Sequence, residues 1–500
     1  MRVAMAKPRR PKKSILQSPH VWAFTTYFAE GFPYTIIRMI SSVFFRDMRV
    51  SLEGIGLTSL FGIPWVLKFL WGPLIDEYRT KRSWMLWTQS ILAIMTLGAG
   101  LLAPAPNGIR IIAVLFFAGA FLAATHDMAI DGYYMEALDE KGQAKFVGYR
   151  VMAYRIAMMA GTGVIVTIGT TAGWVIGFLS AGGVLCVLYG YHSLFLPRVE
   201  TPKRPFRLLV RDLRSGRFLG GALCVLLAIL LIQRFAPSFF EHLAPSWVGI
   251  GLLIALVLLA LLKGRIKSAF LKNKDSFYSK AFLSYMDRKN MGITLAFIIF
   301  MRTGESMLTS MVSPFMVDLG IKVHYGWISG GVGLPFSIIG AMAGGWMISR
   351  YTLKRTIWPF LLAQNFTNLL YMALAFYLSR FILLNAGASG VAAIGPMNLF
   401  LVAAVHSFDQ FAGGLGTAVL VTFLMRTCLP EFKAAHFAIG TGLMNLSGVF
   451  SGVLSGFLAG WLGYGLFFGV SFLASIPGMV LVFFVPFLDA EKERDASSTR

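Results

Sequence analysis

Long apolar runs separated by short polar stretches fill the chain from about residue 20 to residue 487. Each run approaches the ~20 residues that a helix needs to cross a bilayer core. Divided at their Gly, Pro and polar breaks, they predict fourteen spanning helices. These lie at about 20–45, 52–75, 83–103, 109–138, 147–171, 173–196, 218–235, 246–263, 290–317, 327–349, 355–379, 396–427, 434–460 and 462–487. The seventh and eighth are at the short limit of what spans. No stretch is left over for a soluble domain, so the fold class is an all-α polytopic membrane protein.

Composition agrees with this pattern. The 500 residues are 56% hydrophobic and 14% charged, whereas soluble domains carry about 25% charged residues. A formal net charge of +22 would suggest nucleic acid if it covered a soluble face. Here the basic residues fall between the apolar runs, where they orient the chain. Six lie in residues 1–19, seven in 197–217 and eight in 263–289, while 104–109 and 460–464 have none. Both termini are therefore expected in the cytoplasm, as an even helix count demands. The first span is too long for a secretory apolar region and no A-x-A site follows it, so it reads as an uncleaved helix. Cys186, Cys224 and Cys428 show no CxxC spacing, which supports neither a disulfide framework nor a zinc site.

The chain repeats itself. GPLIDEYRTKR at 72–82 and GWMISRYTLKR at 345–355 both read G-x3-[D/S]-x-Y-x2-K-R. Upstream, Gly62 and Pro64 match Gly333 and Pro335, and Phe44 and Asp47 match Phe315 and Asp318, at offsets of 271–273 residues. Spans one to six therefore correspond to spans nine to fourteen. The expected organisation is a basic tail (1–19), a first six-helix half (20–196), linkers 197–289 around an inserted hairpin at about 218–263, a second half (290–487) and a tail (488–500). Two six-helix halves in one orientation are the major facilitator arrangement, with substrate held between them. The duplicated loops, Gly72, Asp76, Tyr78, Lys81 and Arg82 with Gly345, Tyr351, Lys354 and Arg355, are expected to gate. Gly permits close helix approach, and the charges can pair at a helix end.

Charged side chains at bilayer depth carry the candidate chemistry. Glu30 and Arg38 lie on the first span, Lys68 on the second, His126, Asp127 and Asp131 on the fourth, and Arg155 on the fifth. Arg302 and Glu305 lie on the ninth, His406 and Asp409 on the twelfth. Isolated charges are expensive in lipid, but paired charges facing a cavity are tolerated. At ~1.5 Å per residue, Glu30, Asp127 and Arg155 can share a layer roughly 12–17 Å deep. Asp127 and Asp131 share a helix face. Two close carboxyls do not both ionise cheaply, so one is expected to hold an exchangeable proton. Asp127 is the preferred carrier, with Asp131, Glu30, His126, Glu305 and Asp409 as further candidates. No metal-ligand spacing accompanies His126, and there is no HExxH, GxSxG or phosphate-binding GxxxxGK[ST]. Nothing calls for a cofactor, an enzyme mechanism or an obligate protein partner.

Five motifs together resemble the bacterial muropeptide permease family of the major facilitator superfamily. They are WVLKFLWGPLIDEY (65–78), HDMAIDGYYMEAL (126–138), YRIAMMAG (154–161), RTGES (302–306) and DQFAGGLGTAVLVTFLMRTC (409–428). An acetyl-coenzyme A transporter branch is more distant. The resemblance covers both halves and implies proton-driven import of anhydromuropeptides. It places Lys68, Asp127, Asp131, Arg155, Arg302, Glu305 and Asp409 at the family's intramembrane charged positions. Lys68, Arg155, Arg302 and Arg38 would then meet substrate carboxylates, and Asn365, Asn368 and Gln410 its sugar. Several positions depart from the pattern. Glu305 stands for Asp, Asp409 for Glu and His126 for Gln. Glu30 and Arg38 replace small polar residues, and the extra helix pair is central rather than C-terminal. A same-fold permease for another anionic solute (an acyl-coenzyme A, a peptide or a sugar conjugate) is the alternative, and a non-transporting membrane sensor a third.

Overall fold

The structure, a computed structural model, describes residues 15–68, 71–72, 75, 78–200, 204–205, 207–208, 277–288, 290–386, 394–429, 433–486 and 488. The inserted pair expected at 218–263, residues 1–14 and 489–500 of the tails, and Asp76 lie outside the described residues.

Twelve long helices account for the membrane body among the described residues. α1 runs Pro19–Thr35, widens into a π turn at Ile36–Ile40 and resumes at Ser41–Asp47. α2 begins as Leu52–Leu57, tightens to a 3₁₀ stretch at Thr58–Gly62 and ends as Ile63–Leu67. α3 is Lys81–Leu102, α4 Gly108–Ala137 and α6 Trp174–Phe195. Between the last two, α5 runs Glu140–Met159, a π turn Ala160–Ile165, then Val166–Ala172. α7 comprises Met291–Phe300 and Thr303–Asp318, and α8 comprises Lys322–Tyr325, a π segment Gly326–Gly333 and Leu334–Tyr351. α9 is Leu353–Tyr377 and α10 Pro396–Arg426. Lys433–Leu481 is broken at Gly463 into α11 and α12. Short helices at Phe277–Met286 and Ser379–Ala386 complete the set. Eight helices of the described residues are long and apolar enough to cross a membrane. Fourteen were expected from the sequence. Within the span expected at 52–75, the described residues are helical through Leu67 and again at Gly72 and Ile75, with a 3₁₀ stretch at Thr58–Gly62.

The repeat reaches the backbone. Residues in the left-handed region recur as Arg49 and Gly320, Arg79 and Thr352, and Gly173 and Gly463. The first two spacings, 271 and 273 residues, equal those of the repeated motifs, and the third is 290. Each pair marks the same turn in the two sets of six helices.

The two sets meet at one end of the bundle, the end holding Asp47 and Asp318. Arg46 grips Asp318 with a fork, Nε to Oδ1 at 2.7 Å and Nη2 to Oδ2, and the Tyr464 hydroxyl also donates to Asp318 (2.7 Å). Lys322 donates to Asp47 at 2.6 Å, and so does the Trp174 indole at 2.8 Å. Ser42 and Ser313 hydroxyls touch at 2.9 Å. The described hydrogen bonds between α1–α6 and α7–α12 all lie here, so this end is shut. Small residues bring the backbones together beside it. A Cβ on Gly456 would lie 2.7 Å from Gly56 Cα and 2.4 Å from Leu52 O. Gly456→Val is therefore expected to cost the shut state about 1–3 kcal/mol through overpacking. Faster thiol labelling of Ser42→Cys in that background would report the opening; unchanged labelling would mean α2 and α11 part without consequence.

Candidate functional site

The acidic side chains of α1 and α4 face one another. Gly31 lets α1 lie against α5, where a Cβ would come within 2.9 Å of Tyr154 O. This close approach sets Glu30 and Tyr34 beside the α5 arginines. A cavity of about 360 Å³ opens there, lined in part by Tyr27, Glu30, Tyr34, Arg150, Tyr154 and Arg155.

Three carboxyls and two cations form the first cluster. Lys68 Nζ is paired with Asp127 Oδ2. Asp131 Oδ1 takes Arg150 Nη2 at 3.0 Å and the Tyr27 hydroxyl at 2.8 Å. Arg150 also lies over the Tyr27 ring, 4.4 Å from its centroid. Glu30 lies within electrostatic reach of the Asp127 carboxyl, and its Oε2 is buried with no partner among the described residues. Each Asp thus has its own cation and Glu30 has none.

These partners differ from the sequence expectation in one respect. Arg155 was placed in a layer with Glu30 and Asp127. The structure gives the carboxylates to Lys68 and Arg150 instead, and Arg155 turns toward Tyr34, Tyr154 and Arg302. His126, next to Asp127, points into the protein: it is 1% exposed, and both ring nitrogens lack partners. Arg38 donates from Nη1 to the carbonyls of Ser59 (2.8 Å) and Thr58 (3.2 Å), satisfying acceptors that the 3₁₀ stretch of α2 frees.

The second set of helices holds its acids differently. Arg302 and Glu305, three apart, form a two-bonded pair, Nε to Oε2 and Nη2 to Oε1, both 2.6 Å. Gln364 also donates to Glu305 Oε2. Asp409 is buried on α10 and accepts from Gln410 Nε2 at 3.4 Å, while the nearby Thr367 hydroxyl donates to Gln364 O at 2.7 Å. His406 accepts or donates through Nδ1 to the Tyr371 hydroxyl at 2.8 Å. Asn365 and Asn368, expected to meet a sugar, are buried at 1% and 0% exposure. Asn365 Nδ2 bonds Leu361 O, Asn368 Nδ2 bonds Asn365 O, and Asn368 Oδ1 accepts from Ser471. The structure does not bring them to the cavity with Arg155.

The duplicated loops are unequal. In the first copy Lys81 is buried and paired with Glu136. Arg82 clamps the end of α6, with Nε to Leu196 O (3.1 Å) and Nη2 to Ser193 O (2.8 Å). Glu200 accepts from the backbone N–H of Lys81 (2.5 Å) and Arg82 (3.0 Å), satisfying free donors at the start of α3. Burial pushes the Glu200 carboxyl up, and those two donors partly offset the rise. Tyr78 pairs its backbone with Arg204, and Gly72 sits beside Met128 in ordinary contact. In the second copy Tyr351, Lys354 and Arg355 are exposed, and Arg350 covers the Trp346 and Tyr351 rings at 5.7 and 5.8 Å. Nothing crowds Gly345.

Sequence reasoning missed Arg150, Tyr27, Tyr34, Gln364 and Glu200. Arg150 had a signal, because Gly148-Tyr149-Arg150 stands one and a half turns before Tyr154-Arg155.

A model described as Major Facilitator Superfamily matches residues 23–301. An uncharacterized protein of Haemophilus influenzae is 25% identical over 489 residues, covering 95% of this chain and 96% of that protein. The anhydromuropeptide permease of Escherichia coli K12 is 22% identical over 463 residues, covering 91% of this chain and 77% of the permease. Among solved structures, a POT family transporter in complex with a thioalcohol conjugated peptide superposes with a TM-score of 0.64 at 13% identity, over 93% of this chain and 95% of that one. That likeness shows the fold.

Proposed function

The chain belongs to the Major Facilitator Superfamily, and from that premise we propose that it is a proton-coupled permease importing cell-wall anhydromuropeptides by alternating access. The similarity to the E. coli anhydromuropeptide permease supports the substrate class. The Lys and Arg distribution supports an inner-membrane orientation with the Pro19 end of α1 in the cytoplasm. The shut end then faces the periplasm, and the cavity is presented to the cytoplasm. Residues 20–196 and 290–487 are the two rocking halves. No cofactor and no catalytic step enter this reading.

One observation carries the proton coupling: three carboxyls meet two cations in the first cluster. Lys68 neutralises Asp127, Arg150 neutralises Asp131, and Glu30 lies against Asp127 with no cation of its own. Two neighbouring carboxyls in a poorly hydrated site do not both ionise cheaply, so Glu30 is the group to which we assign the exchangeable proton. Releasing it sets a second negative charge beside the Lys68–Asp127 pair. That charge favours the state in which water reaches the cluster, and so ties protonation to the orientation of the halves.

Uptake of labelled anhydromuropeptide into proteoliposomes tests the reading. The pH gradient (outside acidic) is expected to drive accumulation above the external concentration. Accumulation of an acyl-coenzyme A or a simple peptide in place of the muropeptide would assign another anionic solute.

A further inference from the structure

Arg155 is a cation without an anion. It sits at bilayer depth on α5 and lines the cavity, yet its charged and ionisable neighbours are Tyr154, Tyr34 and Arg302. A lone guanidinium in a membrane span is expensive, and a second arginine beside it makes it more so. The neighbouring Arg150 shows the ordinary solution, an Asp131 partner and a Tyr27 ring. Arg155 has neither.

The surroundings describe what is missing. Tyr34 lies within electrostatic reach of both Arg155 on α5 and Arg302 on α7. Its ring packs edge-on with Trp65 of α2, 5.1 Å between centroids, and tilted against Tyr154 at 6.0 Å. Glu305 occupies Nε and Nη2 of Arg302, which leaves Nη1 to serve a ligand. We propose that Arg155, the Tyr34 hydroxyl and Arg302 Nη1 form one carboxylate-binding site that bridges the two halves. Charge selects the ligand class. Glu305 already neutralises Arg302, so the site has one uncompensated positive charge. A planar monoanion matches that charge and the Arg155 fork, whereas a phosphate dianion would leave one negative charge over. This site rests on the anhydromuropeptide reading for the identity of its ligand, and it adds where the peptide carboxylate is held. An anion shared by α1, α5 and α7 also fixes how closely the halves approach when the permease is loaded.

Phenylglyoxal labelling of the full chain in nanodiscs, read arginine by arginine by mass spectrometry, tests it. The probes are an anhydromuropeptide with free carboxylates, the same compound amidated, and inorganic phosphate, with binding followed in parallel by equilibrium dialysis. Arg155 is expected to label faster than the ion-paired Arg150. The free acid should suppress labelling of Arg155, and the amide and phosphate should not. Tyr34→Phe, which keeps the ring, should weaken binding of the acid about tenfold, the effect of losing one hydrogen bond to a charged group. Binding of the acid with Arg155 still labelled at full rate overturns the site, as does equal protection by amide or phosphate. Should no anhydromuropeptide bind, the substrate reading fails, and the site is then judged on simple tripeptides and sugar acids: protection of Arg155 by these sustains it, and no protection overturns it.

Discussion

Glu30→Gln should abolish proton-driven accumulation while leaving substrate exchange across the membrane intact. The amide has the shape of the protonated acid but cannot release a proton. It stays beside Asp127, and the Lys68–Asp127 pair is untouched. The variant therefore mimics one charge state of the cluster permanently. Binding and reorientation of the loaded carrier continue, and the link to the gradient is cut. Asp127→Asn is a harsher change, because it leaves the Lys68 ammonium without its carboxylate. Removing one partner of a buried pair costs about 3–5 kcal/mol, so this variant should lose folded protein as well as coupling. Counterflow and gradient-driven uptake, measured side by side in proteoliposomes, separate the two outcomes. Accumulation that survives in Glu30→Gln would remove Glu30 as the carrier.

In the second half the largest effect expected is on stability. Glu305 takes two bonds from Arg302 and a third from Gln364. Glu305→Leu strips all three and strands a half-buried guanidinium, at a cost approaching the ~3–5 kcal/mol of breaking a buried pair. Adding Arg302→Leu should recover most of that loss, since replacing a whole buried pair by apolar side chains is close to neutral. The thermal midpoints of the purified single and double variants check this. A Glu305→Leu protein that is as stable as the parent, yet uncoupled, would place the proton carrier on α7 and leave the α1–α4 cluster a structural role.

The sequence made the helices and the repeat legible, because lipid demands long apolar runs and the duplicated turns keep their motifs. It also showed which side chains carry charge at depth. It did not show which charges meet. Lys68 and Asp127 are 59 residues apart, and Tyr27 and Asp131 are 104 apart. Counting residues along a helix gives depth but not the direction a side chain faces. Arg150 and Arg155 differ by five positions, which is about 140° around the axis. That rotation hands Asp131 to Arg150 and turns Arg155 toward Arg302. Asn365 and Asn368 show the same limit: polar residues on a cavity-half helix looked like substrate ligands, but their faces pack toward α12. The ion pairs at the shut end were half visible. Asp47 and Asp318 matched as repeat positions, yet their cations, Lys322 and Arg46, come from across the interface.

Substrate-driven proton movement tests the central claim most directly. Proteoliposomes holding a pH-sensitive dye, with equal pH on both sides, would receive anhydromuropeptide from outside. The lumen should acidify as substrate enters, and Glu30→Gln vesicles preloaded with unlabelled anhydromuropeptide should exchange it for external label without acidifying. Entry of anhydromuropeptide into wild-type vesicles with no change in lumenal pH would contradict proton coupling at the Glu30–Asp127–Lys68 cluster.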